Sequence, residues 1–168
     1  MDMGYNSAME REKNGRVAAL VIGPEAGGPL RQVERIEAVA GRGLKGDRYY
    51  LGVGTFNRPP LDQSVREVTL IDADAVDRCG ERLGRPFAPE ELRRNIVVSG
   101  LEVKELVGRR FRVGSALMRG VRTAPPCRYL SRLLGEDMMA GLRHIGGIRA
   151  VIETGGGIAV GDAVALLD

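Results

Sequence analysis

The sequence predicts a mostly β domain with short helices, an α+β chain whose strands close into a barrel-like sheet. Three observations carry that expectation. Short runs rich in Val and Ile recur every 10 to 20 residues or so along the chain, bounded by Gly, Pro and Asp. Glycine takes 24 of 168 positions without a fixed period, which points to many tight turns. A doubly wound sheet would need helices between most strands, and few segments carry a helical period.

In chain order, Arg16 to Ile22 alternates into an apolar run and reads as the first strand, closed by the turn cluster Gly23 to Pro29. Val33 to Val39 is the second strand, leading into the glycine-rich Gly41, Gly43 and Gly46. Glu67 to Ile71 is a buried strand. Asp72 then caps a helix whose Ala73, Val76, Cys79 or Gly80, and Leu83 recur at helical spacing before Gly84. Asn95 to Val98 forms a short strand ended by Ser99-Gly100. Phe111 and Val113, then Ala116 to Val121, form strands that turn at Gly114. Pro125 and Pro126 open a helix through Leu130, Leu133 and Leu134 to Gly135, because proline is tolerated in a first turn. Ile148 to Ile152 and Ile158 to Leu167 supply closing strands, separated by Gly155 to Gly157 and broken by the Gly161-Asp162 turn. No internal repeat or linker divides the chain, so a single domain over 16–168 is expected after a polar, flexible tail at 1–15.

Composition excludes several classes. Apolar residues at 43% and charged residues at 28% lie near globular averages, against a disordered or fibrous chain. No apolar run approaches the ~18 to 20 residues that cross a bilayer, and Met1 to Gly15 lacks a signal-peptide core, so a soluble, cytoplasmic protein with no membrane attachment is expected. Cys79, Cys127 and the single His144 are too few for a disulfide framework or a Cys/His zinc site. Trp is absent and aromatic clusters are lacking, so no nucleic-acid partner is expected. Charge is uneven: from Arg109 to Arg149 nine arginines face two acids, a net +7, while the remaining 16 basic and 20 acidic residues leave net −4. An anionic ligand at one face follows if these arginines converge, since their forks bind phosphate and carboxylate bidentately. Simple solvation of a coding-biased arginine excess is the alternative, as 22 of the 25 basic residues are Arg.

Cys127 follows two prolines and is placed in the first turn of a helix, where backbone N–H groups stabilise an anion. Arg122 and Arg128 act in the same direction, lowering a thiol pKa from about 8.5 towards neutrality if they face the sulfur. Such a thiolate attacks, carries sulfur or ligates a soft metal. Cys79, on the apolar face of its helix, is instead a core thiol. In Gly41 to Tyr50, three glycines allow close backbone approach while Lys45 and Arg48 offer charge to an anion and Asp47 orients an arginine. The segment matches neither a Walker loop nor a dinucleotide fingerprint, and a structural turn tied by Asp47 is the competing reading. Arg93-Arg94-Asn95 precedes a buried strand, so Asn95 is suited to hydrogen-bond a turn while an arginine looks into a cleft. His144 reads as a helix-end or surface residue.

Six segments in order resemble the MOSC domain, the family named after the C-terminal domain of molybdenum cofactor sulfurase. They are Gly43-Leu44-Lys45-Gly46-Asp47-Arg48-Tyr49, Val68-Thr69-Leu70-Ile71-Asp72, Arg94-Asn95-Ile96-Val97-Val98, Leu106-Val107-Gly108 with Phe111 and Val113-Gly114, Pro126-Cys127 with Leu130, and Gly157-Ile158 with Val160-Gly161-Asp162. The resemblance spans about Arg16 to Leu167. It implies a stand-alone MOSC-type β-barrel-like domain whose Cys127 corresponds to the family cysteine, proposed in relatives to carry sulfur or to ligate molybdenum. It further implies a molybdenum cofactor of the molybdopterin type, an anionic pterin held by basic residues, and in some members the reduction of N-hydroxylated compounds. On that basis Cys127 is the catalytic and metal-ligating candidate, and Lys45, Asp47, Arg48, Arg94, Asn95, Thr123 and Arg128 are the cofactor-binding candidates. A sulfur donor or an electron-donor protein would be the partner. The chain departs from many short relatives, which carry a second cysteine three positions before the first where this one has Ala124. Other relatives place His where Tyr49 stands and Glu where Arg94 stands. No pyridoxal phosphate is expected, because 168 residues do not include the desulfurase domain of cofactor sulfurases. Two alternatives stay open beside the cofactor-binding reading: a non-enzymatic sulfur or metal-sulfur carrier delivering to a partner, and a thiol redox protein without metal.

Overall fold

The computed structural model describes residues 14–55 and 67–167. Residues 1–13 of the expected tail lie outside the described residues, and Gly15 already belongs to the first strand. That strand, β1 (Gly15–Ile22), alternates buried and exposed positions before becoming fully buried. It pairs antiparallel with β2 (Arg31–Val33), β6 (Ile96–Ser99) and β11 (Ala163–Leu166). From β11 the ladder runs through β7 (Arg110–Val113), β8 (Ala116–Thr123), β9 (Ile148–Thr154) and β5 (Val68–Asp72) to β6, and so returns to β1. Seven strands thus close a barrel, which removes its free edges. A second sheet of three strands joins β10 (Gly156–Ala159), β3 (Arg35–Val39) and β4 (Gly43–Leu44).

The β5–β6 pair is the parallel one in this ladder, and a parallel pair needs a long crossover. Helix α1 (Ala73–Leu83) supplies it, stopping where Gly84 turns left-handed at φ 75° and donates its N–H to the Gly80 carbonyl. Asp72 stands at the N-cap position but does not cap the helix; its Oδ1 accepts from the Val103 amide at 2.8 Å instead. Both faces of β5 and β6 are covered, which is why they read as continuous apolar runs rather than alternating ones. Leu70 and Ile96 point into the barrel with Val17, Phe111, Met118 and Ile148. Ile71 and Val97 point outward, under Ala75, Val76 and Cys79 of α1, Leu130 of α2 (Arg128–Leu134) and Met138 of α3 (Met138–Gly141). Each large side chain so buried contributes about 1.5–3 kcal/mol. Cys79 is fully buried there, as a core thiol should be.

Two expectations about elements change. The run Val33 to Val39 is two strands, because the chain leaves the barrel at Glu34: Val33 pairs with Leu20 of β1, whereas Arg35 pairs with Ala159 of β10. The helix expected from Pro125 begins only at Arg128, with Cys127 in extended backbone at its N-cap. Neither proline is inside it, so Cys127 stands ahead of the first turn rather than in it. Among the described residues no helix is long and apolar enough to cross a membrane.

Candidate functional site

Outside the barrel, beside the helical layer, Cys127 shares a pocket with Arg48, Arg93, Arg94 and Arg149. Thr69, Tyr49, Tyr129 and Leu130 complete much of its wall, and no carboxylate is among the described lining residues. The residues come from distant stretches that the barrel brings together. Thr69 faces outward from β5, since its neighbours Val68 and Leu70 point into the core. Arg149 lies opposite Thr69 in the β5–β9 pairing and opposite Arg122 in β8–β9.

Local bonds hold the guanidiniums of Arg48, Arg93 and Arg94 in place. Arg48 pairs with Asp47, Nη1 to Oδ1 at 3.0 Å, with both side chains buried. Asp47 also accepts from the amides of Gly23 and Tyr49, so it is saturated as a support behind Arg48. Arg48 in turn lies over the Tyr49 ring at 4.8 Å. Arg94 is buried and donates Nε to the Gly146 carbonyl at 2.8 Å and Nη2 to the Ala124 carbonyl at 3.0 Å. It thereby ties down the segment leading into Cys127. At Gly146 a Cβ would stand 2.4 Å from the same Ala124 oxygen, so only glycine permits this approach. Arg93 donates to the Gly28 carbonyl at 2.8 Å and adopts φ 61°, a left-handed backbone that costs a non-glycine residue about 1–2 kcal/mol. Its side chain, not its backbone, suits that position.

The electrostatics follow from burying like charges together. Burial, with Arg149 as the next contributor, holds the Arg94 guanidinium down to about 10. Burial likewise lowers Arg149, and burial together with Arg48 lowers Arg93. All three remain cations at neutral pH. Burial pushes the Tyr49 phenol up, outweighing the pull of Arg48, Arg149 and Arg94, so it remains a neutral hydroxyl donor among cations. Cys127 is half-buried, with its apolar side against the helical cluster.

Of the residues singled out from the sequence, the structure brings Cys127, Arg48 and Arg94 into one pocket and puts Asp47 behind it. Lys45 does not line it; exposed, it pairs with Glu37 at 3.6 Å. Thr123 and Arg128 are exposed and also absent from the described lining. Asn95 is buried: its Oδ1 accepts from the Thr69 amide and hydroxyl, and its Nδ2 donates to the Val21 carbonyl, tying three strand regions together. It supports Thr69 rather than facing the pocket. His144 is exposed and lines a separate groove with Asp72 and Glu102. Of Arg94, Arg122, Arg128 and Arg149, the arginines expected to converge near Cys127, the described lining holds Arg94 and Arg149 but neither Arg122 nor Arg128; Tyr49, Thr69, Arg93 and Tyr129 are site residues that the sequence does not single out. Arg149, counted among the nine arginines of the basic stretch, stands between the core residues Ile148 and Ala150 and so on the opposite face of its strand.

The fold is that of a MOSC-type domain, and the family model agrees: the MOSC domain matches residues 57–165. The chain belongs to the MOSC domain family. Similar solved structures include the YuaD protein of Bacillus subtilis, with a TM-score of 0.74 at 18% identity, covering 90% of this chain and 94% of that one. YiiM of Geobacillus stearothermophilus aligns with a TM-score of 0.66 at 15% identity over 92% of this chain and 75% of that one. YiiM of Escherichia coli gives 0.65 at 16% identity, over 91% and 70%. These likenesses concern the fold. No curated protein matches the sequence.

The donor set fits both ends of the cofactor associated with the family. Guanidinium groups suit a phosphate, and a thiolate suits molybdenum. The pocket is partly open to solvent, and its inner space is small, about 40 Å³. At about 10–15 Å³ for each water it holds roughly three waters, the size of a phosphate or sulfonate group, so the rest of a larger ligand would extend through the open side.

Proposed function

We propose that this MOSC protein works through the Cys127 sulfur at a guanidinium-lined anion site, holding a molybdopterin-type molybdenum cofactor. The observation that supports this is the convergence of Arg48, Arg94 and Arg149 on one pocket with the cysteine. Cys127 would be the protein ligand to the metal, and the arginines would hold the pterin phosphate. Bound there, the cofactor would supply two-electron redox chemistry, including reduction of N-hydroxylated compounds with electrons from a partner protein. The protein's own part is to fix and neutralise. Asp47 aligns Arg48, the carbonyls of Gly146 and Ala124 align Arg94, and Tyr49 offers a hydroxyl proton without adding charge.

The test is metal analysis of protein purified from a host that makes the cofactor. Close to one molybdenum per chain, lost in Cys127→Ser while the fold persists, is the expected result; metal-free protein from such a host would overturn the reading. A second reading, a carrier that holds sulfur as a Cys127 persulfide, is favoured by the half-exposed thiol beside a small, partly open space. Sulfur on Cys127 without metal would support it.

A further inference from the structure

We infer that the pocket accepts a small oxyanion bearing a sulfane sulfur, thiosulfate, and transfers that sulfur to Cys127. The inference rests on the sulfur-carrier reading and names its donor. Three features of the site lead to it. The inner space of about 40 Å³, open on one side, accommodates a group the size of sulfate. Its described lining carries four guanidinium groups and no carboxylate, so a doubly charged anion is favoured over a neutral donor. The wall also presents a half-exposed thiol, so an anion held by the arginines lies beside a nucleophile.

The chemistry of the leaving group narrows the choice. A thiol beside arginines also resembles a site for attack on a phosphate ester, but an alkoxide must be protonated as it leaves. The described lining has neither a carboxylic acid nor a histidine for that, and its Tyr49 phenol is a weak acid held back further by burial. Sulfite needs no proton. The Cys127 thiolate attacks the outer sulfur of thiosulfate, forming a new S–S bond. The bond from that sulfur to the sulfonate sulfur breaks, and its electron pair departs with sulfite. Three negative charges enter and three remain, one on the persulfide and two on sulfite, so the step needs no oxidant, reductant or proton. Charge moves from Cys127 towards the sulfite oxygens during transfer. Arg48 and Arg94 are fixed before the anion arrives and Arg149 lines the same pocket, which makes the three suited to stabilise that charge.

Incubation of the reduced full-length chain with thiosulfate, followed by removal of the small molecules, tests the step by intact-protein mass, peptide mapping and sulfite assay. Expected are a mass gain of one sulfur, located on Cys127, and one sulfite released per chain. Sulfate should slow loading competitively, and Arg149→Ala should slow it about tenfold or more, as loss of a charge-assisted contact does. A parallel sample receives inorganic polysulfide. Loading of Cys127 from polysulfide but not from thiosulfate would overturn the inference and leave the carrier reading standing. Failure with both donors would overturn the carrier reading itself. Sulfur found on Cys79, or a thiosulfate rate indifferent to sulfate and to Arg149→Ala, would also overturn the inference.

Discussion

Replacing Arg94 with methionine separates the two roles of its guanidinium, tying down the backbone before Cys127 and presenting charge to an anion. The substitution keeps most of the side-chain volume and removes the donors to the Gly146 and Ala124 carbonyls. Each buried acceptor left without a donor costs about 1–3 kcal/mol, hence about 2–6 kcal/mol for the pair. Loss of the charge acts in the opposite direction. A guanidinium held down to about 10 from 12.5 is disfavoured in its charged form by about 3 kcal/mol, and methionine removes that burden. The net change should therefore be small, between a gain of about 1 and a loss of about 3 kcal/mol, measured by urea denaturation. Anion binding should change far more. Sulfate at about 100 times its Kd should stabilise the wild-type chain by about 2.7 kcal/mol, and Arg94→Met should lose most of that gain. A variant destabilised by more than about 5 kcal/mol that still responds fully to sulfate would refute this reasoning and reduce Arg94 to a structural tie.

Three further outcomes are expected. Asn95→Asp should destabilise the domain by about 2–5 kcal/mol, because it turns an acceptor towards the Val21 carbonyl and buries a charge; urea denaturation with sulfate present and absent should show an intact anion response in the fraction that folds. Iodoacetamide applied to the native protein should label half-exposed Cys127 before fully buried Cys79, whose thiol burial pushes up; peptide mapping that finds Cys79 labelled first would contradict the packing. Glu67 supplies a pH dependence of stability. Burial raises its carboxyl above 4.5, so the native state holds its proton more tightly than the unfolded state does. Its favourable contribution is complete below about 4.5 and is lost as pH rises through the folded value. Glu67→Gln retains an acceptor for the Ile152 amide, so it should match or exceed the wild type at neutral pH, with the difference shrinking on acidification in paired urea titrations.

The barrel was legible where local pattern and burial coincide. The Gly15–Ile22 and Val68–Asp72 strands and the Ala73–Leu83 helix announce themselves through apolar period and a terminal glycine. The pattern is blind to a change of partner. Nothing in the alternation of Val33 to Val39 marks Glu34 as the point where the chain passes from one sheet to another. The site divides in the same way. Cys127, Arg48 and Arg94 stand out because each sits beside a special local signal: two prolines, a Gly-Asp pair, and an asparagine ahead of an apolar strand. Those signals carried sequence neighbours along with them. Lys45 and Arg128 were read into the site by proximity, yet Lys45 points to Glu37, and at the start of α2 it is Tyr129 and Leu130 that line the pocket. Arg149 belongs to the basic stretch from 109 to 149, but no local signal separates it from the other eight arginines there. Its pocket face is created only when β9 pairs with β5 and sets it against Thr69.

That pairing also explains how several cations coexist in so small a space. Arginines brought together by chance on a surface would turn their side chains outward into water, and here they do not. Arg48 is held by a carboxylate that is itself saturated, Arg93 by the Gly28 carbonyl, and Arg94 by two carbonyls that also fix the approach to Cys127. Backbone oxygens thus supply the partial negative charge that keeps the guanidiniums folded inward, while the fixed forks leave little reorganisation for an incoming anion. The cost appears in the lowered proton affinity of Arg93, Arg94 and Arg149 and in the left-handed backbone of Arg93. An arrangement that lowers stability in the empty state gains from whatever anion it binds. The decisive comparison is therefore between stability with and without sulfate, rather than stability alone.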